Sequence, residues 1–123
     1  MNVLSKKSLS KLDGVNSSLV SVVKRAIEIS VVDFGVTEGL RTLERQKEMV
    51  RTKKSQTMNS KHLTGRAVDL VAWVNGSISW EWKYYIDISN AMKYAAKELG
   101  VNIEWGGDWK TLKDGVHFQL KDK

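Results

Sequence analysis

His62 and Asp69 stand seven positions apart, and Asp114 stands three positions before His117. A neutral imidazole offers a nitrogen lone pair and a carboxylate offers a charged oxygen, the donors that hold divalent cations near neutral pH. Together His62, Asp69 and His117 would fill three positions of a tetrahedral zinc ion and leave the fourth open, as catalytic zinc sites do and structural ones do not. Each residue taken singly has an ordinary role. His62 can be an exposed loop residue, His117 a satisfied sheet histidine, and Asp69 a turn or N-cap carboxylate. The chain nevertheless contains only two histidines, and both lie a short, fixed distance from a carboxylate in segments otherwise rich in apolar residues. We therefore read His62, Asp69 and His117 jointly as metal ligands, with one zinc ion per chain.

Those side chains need elements to position them. In Val116 to Leu120 the apolar residues Val116, Phe118 and Leu120 alternate with His117 and Gln119, so a strand would turn the imidazole away from the hydrophobic layer. Arg66 to Trp73 reads as a second strand, with Ala67, Asp69 and Val71 on one face and Val68, Leu70 and Ala72 on the other. A lone carboxylate on a largely buried strand is expensive without a partner, and a cation would supply one. His62 follows Lys53 to Lys61, a stretch with only Met58 as an apolar residue and no regular period, expected as a surface loop. Val31 to Val36 is expected as a strand entering a turn at Gly39, with Thr42 capping a helix of about Leu43 to Thr52. Arg41 lies in that turn, where a guanidinium can be aimed into a cleft.

The scaffold is legible from periodicity. Leu19, Val22, Val23, Ala26 and Ile27 recur at helical spacing after an N-cap at Asn16 or Ser17. Ile88, Met92, Ala95 and Leu99 mark a main helix from Trp80 to Leu99, capped by Ser79, with Asp87 the place for a break and Gly100 its stop. Asn75-Gly76 is a tight-turn dipeptide. Val101, Ile103 and Trp105 fall on one face of a further strand. The expected fold class is α+β: a small antiparallel sheet of about four strands, helices packed on one face, and a zinc cleft on the other.

The pattern Ser60-x-His62-x-x-Gly65-x-Ala67-x-Asp69, followed by Asp114-x-x-His117, resembles the motif pair of the zinc peptidases related to D-Ala-D-Ala dipeptidases and carboxypeptidases. Within that group the chain is most similar to the short L-alanyl-D-glutamate endopeptidases used as phage endolysins, over about Val32 to Leu120. The resemblance implies zinc on His62, Asp69 and His117, with Asp114 as general base. It implies that Arg41, in a Gly-x-Arg-Thr turn, neutralises the oxyanion of peptide hydrolysis. Ser60 either hydrogen-bonds substrate, as the matching serine does in the family, or caps its loop. In the resembled enzymes the segment matching Asp108 and Trp109 borders the substrate cleft, which implies that Asp108 and Trp109 contact substrate, Trp109 either by stacking on it or, on the alternative reading, by belonging to the core. The dipeptidase branch carries glutamate at the base position, so Asp114 favours the L-Ala-D-Glu bond of the peptidoglycan stem peptide over D-Ala-D-Ala cleavage. The alternatives are a D-Ala-D-Ala carboxypeptidase or dipeptidase of wall precursors, and a non-catalytic zinc-containing wall-binding module, which the presence of a base disfavours.

Length and composition bound these readings. The 123 residues allow one catalytic domain with one core, spanning 1–123. Residues 1–15 are expected to be a loosely ordered segment with at most a short turn around Ser8 to Leu12. No cysteine is present, so neither disulfides nor thiolate ligands are available, which suits a reducing cytoplasm. Met1 to Lys7 lacks the apolar core of a signal peptide, and no apolar run is long enough to span a bilayer. A cytoplasmic product that reaches the wall only through a holin-made lesion is therefore expected, acting as a monomer without stable membrane association. The net charge of +6 favours a polyanionic partner. Nucleic acid is disfavoured because Lys6 and Lys7, Lys53 and Lys54, and Lys121 and Lys123 lie in separate segments with no accompanying signature. Peptidoglycan, whose stem peptides carry carboxylates, is the expected partner.

Overall fold

The computed structural model describes residues 2–55, 58 and 60–121. Ser5 accepts a hydrogen bond from the Ser8 N–H and opens a short helix, α1 (Lys6–Lys11). Asn16, one of the two expected caps, accepts from the Ser18 N–H and starts α2 (Ser17–Ile29), whose apolar stripe of Leu19, Val22, Val23, Ala26 and Ile27 is buried as its period requires. After β1 (Asp33–Glu38), Thr42 accepts from the Arg45 N–H and caps α3 (Leu43–Arg51). A 3-10 turn at Lys61–Thr64 precedes β2 (Ala67–Val74). Asn75 and Gly76 both take positive φ, 53° and 82°, and fold β2 back into β3 (Ser77–Ser79). α4 (Trp82–Leu99) ends on Gly100 in the left-handed conformation, and β4 (Ile103–Trp105) and β5 (His117–Leu120) complete the chain.

All strand pairs are antiparallel, in the order β1-β2-β5-β4. The sheet has five strands because β3 also pairs with β2, along Ala72 to Val74, while β5 pairs with Ala67 to Asp69. Val68, Leu70 and Ala72 face α2 and α4 and join Phe118 and Leu120 in one core. Asp69 and His117 lie on the opposite face, so the expected division into a helix-covered face and a cleft face holds.

Two expectations are corrected. The main helix does not begin at Trp80 under a Ser79 cap, and it is unbroken at Asp87. The Asn75-Gly76 turn commits 77–79 to a strand first, so Ser79 belongs to β3 and its hydroxyl accepts from the Glu81 N–H at 3.3 Å. The segment 1–15, expected to be loosely ordered with at most a short turn around Ser8 to Leu12, carries the helix α1 over Lys6–Lys11. Ser8 Oγ accepts from the Val36 N–H at 2.9 Å, and Leu12 and Val15 enter the core. α1 thereby covers β1, an outer strand whose unpaired groups would otherwise face water.

β1 carries one irregularity. Val36 pairs with Leu70 but Glu38 pairs with Asp69, so Thr37 is an extra residue in the ladder. That bulge turns the Glu38 carboxylate toward the end of the sheet where Asp69 lies. Among the described residues no helix is long and apolar enough to cross a membrane.

Replacing Ser8 by alanine would leave the buried Val36 N–H without its acceptor, a loss of about 1–3 kcal/mol. Denaturant unfolding of Ser8→Ala should show a lower midpoint at unchanged slope, and an unshifted midpoint would mean that α1 does not hold the strand through this contact.

Candidate metal centre

Register brings the first two donors together: Asp69 on β2 is directly opposite His117 on β5. His62 arrives from the 3-10 turn, which Ser60 opens by accepting from the His62 N–H at 3.2 Å. Gly65, at φ 69°, closes that turn, and a Cβ there would lie 2.4 Å from the Gly14 carbonyl oxygen, so only glycine lets the chain pass into β2. His62 Nε2 lies 3.1 Å and His117 Nδ1 3.3 Å from the same oxygen, Asp69 Oδ1. The three donor atoms all fall within 4.8 Å of one another.

The outer sides of the two rings decide their tautomers. His62 Nδ1 is 2.8 Å from the Gly39 carbonyl, which can only accept, so the proton sits on Nδ1 and the Nε2 lone pair faces Asp69. His117 Nε2 is 2.8 Å from Gln119 Oε1, and the Gln119 amide is oriented by donating from Nε2 to Glu104 Oε1 at 2.6 Å. Its proton is therefore on Nε2, and the Nδ1 lone pair faces Asp69. In the neutral state two nitrogen lone pairs and a carboxylate oxygen meet with no hydrogen between them. Such a set is stable only around a cation, and these donors fit a divalent metal ion.

The electrostatics agree. Burial pushes the Asp69 carboxyl up, but the positive charge and hydrogen bonds that His117 and His62 bring to it when protonated on the facing nitrogen outweigh burial and hold Asp69 well below the usual carboxylate range. Burial pushes the His117 imidazole down, yet the hydrogen bond and charge of Asp69 raise it overall. A metal ion bound by the three donors would compete with protons for the same lone pairs.

A cavity of about 300 Å³ opens on His62 and His117. Arg41 and Asp114, from separate loops, both line it, as do Ser60 and Trp109. Arg41 is almost fully buried, at 6% exposure. Its Nε donates to Glu38 Oε1 at 2.6 Å, its Nη1 donates to Gln46 Oε1 at 2.7 Å, and Nη2 is 3.9 Å from Asp69 Oδ2. Burial first, and then the charge of Asp69, push the Asp114 carboxyl above its ordinary value, against the opposing pull of His117. The Trp109 ring is tilted against His117 with centroids 5.3 Å apart. Asp108 is the one expected site residue turned elsewhere: it receives Lys93 Nζ at 2.7 Å and does not line the cavity.

Several supporting residues carry little signal in the sequence. Gln119 shares a strand face with His117 and could be suspected from alternation alone. Glu104 reaches it only because β4 pairs with β5 in the register Glu104↔Gln119. Gln46 is fully buried on α3 to hold Arg41. Gly39 presses so closely on α1 that a Cβ would lie 2.1 Å from the Lys11 carbonyl oxygen, which fixes the acceptor behind His62.

The anchor behind His117 can be tested apart from the ligand itself. Gln119→Leu should weaken metal affinity by about 10- to 100-fold, while His117→Ala should abolish binding. Competition with a chelator followed by elemental analysis measures both, and wild-type affinity in Gln119→Leu would overturn the anchoring role.

The family model described as phage L-alanyl-D-glutamate peptidase matches residues 1–121 of the chain. The L-alanyl-D-glutamate peptidase of Escherichia phage T5 is 32% identical over 120 residues, covering 94% of this chain and 87% of that protein. The crystal structure of the Serratia marcescens L-Ala D-Glu endopeptidase ChiX superposes with a TM-score of 0.92 at 52% identity, covering 98% of this chain and 91% of the other. A vancomycin-resistance D,D-dipeptidase, VanXYg, shares the fold alone, at a TM-score of 0.54 and 16% identity over 86% of this chain and 50% of its own. With its three donors converged on one cleft and its whole described length matched, the chain belongs to the phage L-alanyl-D-glutamate peptidase family.

Proposed function

We propose that this protein is a zinc-dependent peptidoglycan endopeptidase, a phage endolysin that hydrolyses the L-alanyl-D-glutamate bond of the stem peptide. One observation carries the reading: the cavity that holds His62 and His117 is also lined by a carboxylate and a guanidinium, Asp114 and Arg41. A wall-binding module would need the ligands but neither of the other two. The named activities of the T5 and Serratia marcescens relatives support the choice of bond, and the +6 charge suits an anionic wall.

His62, Asp69 and His117 would hold the zinc, which supplies Lewis acidity to polarise a carbonyl and make water acidic near neutral pH. Asp114 takes a proton from the attacking water on its carboxylate and delivers it to the leaving amine. Arg41 is held rigid by Glu38 and Gln46, so its charge stands ready where the carbonyl oxygen becomes negative and need not reorganise during the reaction. Trp109 shields one side of His117 from water, and Ser60 lies within the cleft at the turn carrying His62. The protein works as a monomer without stable membrane association, stored in the host cytoplasm until a holin opens the membrane; the phage relative supports that setting. Mass spectrometry of peptidoglycan fragments after incubation with zinc-loaded protein tests the activity. Products bearing a new N-terminal D-glutamate are expected, and loss of terminal D-alanine in their place would reassign the enzyme to the D-Ala-D-Ala branch.

Asp114→Asn removes the base without removing a ligand. Turnover should fall by roughly 100- to 10,000-fold with metal content and unfolding midpoint retained; full activity would remove Asp114 from the mechanism, since asparagine serves a turn as well as aspartate does.

Arg41→Ala should likewise keep the metal and lose about 100-fold or more in turnover. Because the guanidinium also satisfies Glu38 and Gln46, Arg41→Lys provides the control that keeps the charge but not the fork. Near-normal turnover in Arg41→Ala would assign Arg41 to structure alone.

A further inference from the structure

Beside the metal cleft lies a second cavity of about 280 Å³, lined by Trp80, Trp82, Tyr85, Lys113 and Asp114 among others. Asp114 lines both cavities, so the two adjoin through the base. The indoles that form the second cavity are exposed, Trp80 by 69% and Trp82 by 44%, yet neither is loose. Trp80 stacks parallel on Tyr85 at 6.4 Å, and Tyr85 is buried with its hydroxyl donating to the Ser79 carbonyl. Trp82 stacks on Trp105 at 5.4 Å, and Trp105 is fixed by donating Nε1 to the Gly115 carbonyl. Trp82 also lies flush on Gly115, where a Cβ would come within 2.9 Å of its ring. Each indole thus rests on the chain on one side and keeps substantial exposed apolar surface beside a cation, Lys113.

From this shelf we infer a glycan subsite: Trp80 and Trp82, with Lys113, bind the N-acetylated amino sugar to which the stem peptide is joined. The inference rests on the reading of the cleft as a peptidoglycan endopeptidase site and names a part of the substrate that the metal centre does not touch. In that substrate the sugar is linked to the acyl side of the scissile bond through one alanine and a lactyl group. At the extended rise of the chain this is about 7 Å, the scale of a neighbouring cavity rather than a distant one. A pyranose ring presents a face of C–H hydrogens, weakly positive, that complements the negative face of an indole. The stem peptide on the other side of the bond carries carboxylates and would call for cations in place of stacked aromatics. Lys113 offers ammonium donors to the acetamido or lactyl carbonyl oxygens.

The test compares two soluble substrates, a disaccharide-linked stem peptide and the same peptide N-acetylated and lacking sugar, by release of amino groups. Wild-type protein should prefer the sugar-linked substrate. In Trp80→Ala that preference should fall by about tenfold, the effect of removing one aromatic anchor, through KM rather than kcat. Trp82→Phe, which keeps the packing on Trp105, should lower it less. Peptide-free N-acetylated glycan oligomers should quench tryptophan fluorescence in the wild type, and in Trp80→Ala should do so more weakly and only at about tenfold higher concentration. An unchanged preference together with unchanged quenching would overturn the subsite while leaving the endopeptidase reading intact. A dimer that Trp80→Ala dissolves, with the preference unaltered, would assign the shelf to a second copy of the chain and equally overturn it. Wild-type protein that cleaves neither substrate would overturn the underlying reading of the cleft, and the subsite with it.

Discussion

The Asp69 carboxylate is the constraint around which the rest is arranged. It sits on a central strand, flanked by Val68 and Leu70 of the core, where an uncompensated charge costs several kcal/mol. Two imidazoles converge on one of its oxygens, and Arg41 stands near the other at 3.9 Å. Because both rings present lone pairs to the carboxylate, the group is incomplete without a cation. Binding a metal there adds to folding stability by mass action, since the unfolded chain has no such site.

Everything near Asp69 fixes a donor from behind. The bulge at Thr37 presents Glu38 to Arg41, and α3 contributes Gln46 to the same guanidinium. Gly39 allows its carbonyl to reach His62, and its close packing on α1 gives the N-terminal helix a part in the site thirty or more residues away. On the far side, the Gln119–Glu104 pair transmits the position of β4 to His117. Both imidazoles of the candidate metal site are thus backed by a further contact that sets ring orientation and tautomer, the arrangement that gives metal sites their affinity.

The cleft is divided by charge and surface. Asp114 and the two histidines line it, Arg41 brings positive charge, and Trp109 supplies an apolar wall against His117, while Trp82 lies on Gly115 in the adjoining cavity. Such a division suits a polymer in which a peptide bond, carboxylates and sugar rings lie within a few residues of one another. Electrostatic steering to an anionic wall needs no single patch, which agrees with lysines spread along the chain.

Alternation and helical period were enough to place Asp69 and His117 on strand faces away from the core, because side-chain direction follows from one residue to the next. The Thr42 cap, the Asn75-Gly76 turn and the Gly100 stop were legible for the same reason: each depends on the backbone needs of a few neighbours. The motif pair further singled out His62, Asp69, His117, Asp114 and Arg41, which the fold brings to one place. What no local pattern contained was the pairing of β2 with β5, which sets Asp69 opposite His117 across forty-eight positions, or that of β4 with β5, which gives Gln119 its partner Glu104. The start of α4 at Trp82, the docking of α1 on β1, and the exposure of the Trp80–Trp82 shelf were also decided only in the folded chain. A strand carries the same alternation whichever neighbour it meets, and a tryptophan the same apolar surface whether it is covered or not. Register and burial are settled by which packing satisfies the whole core at once, and that is a property of tertiary structure.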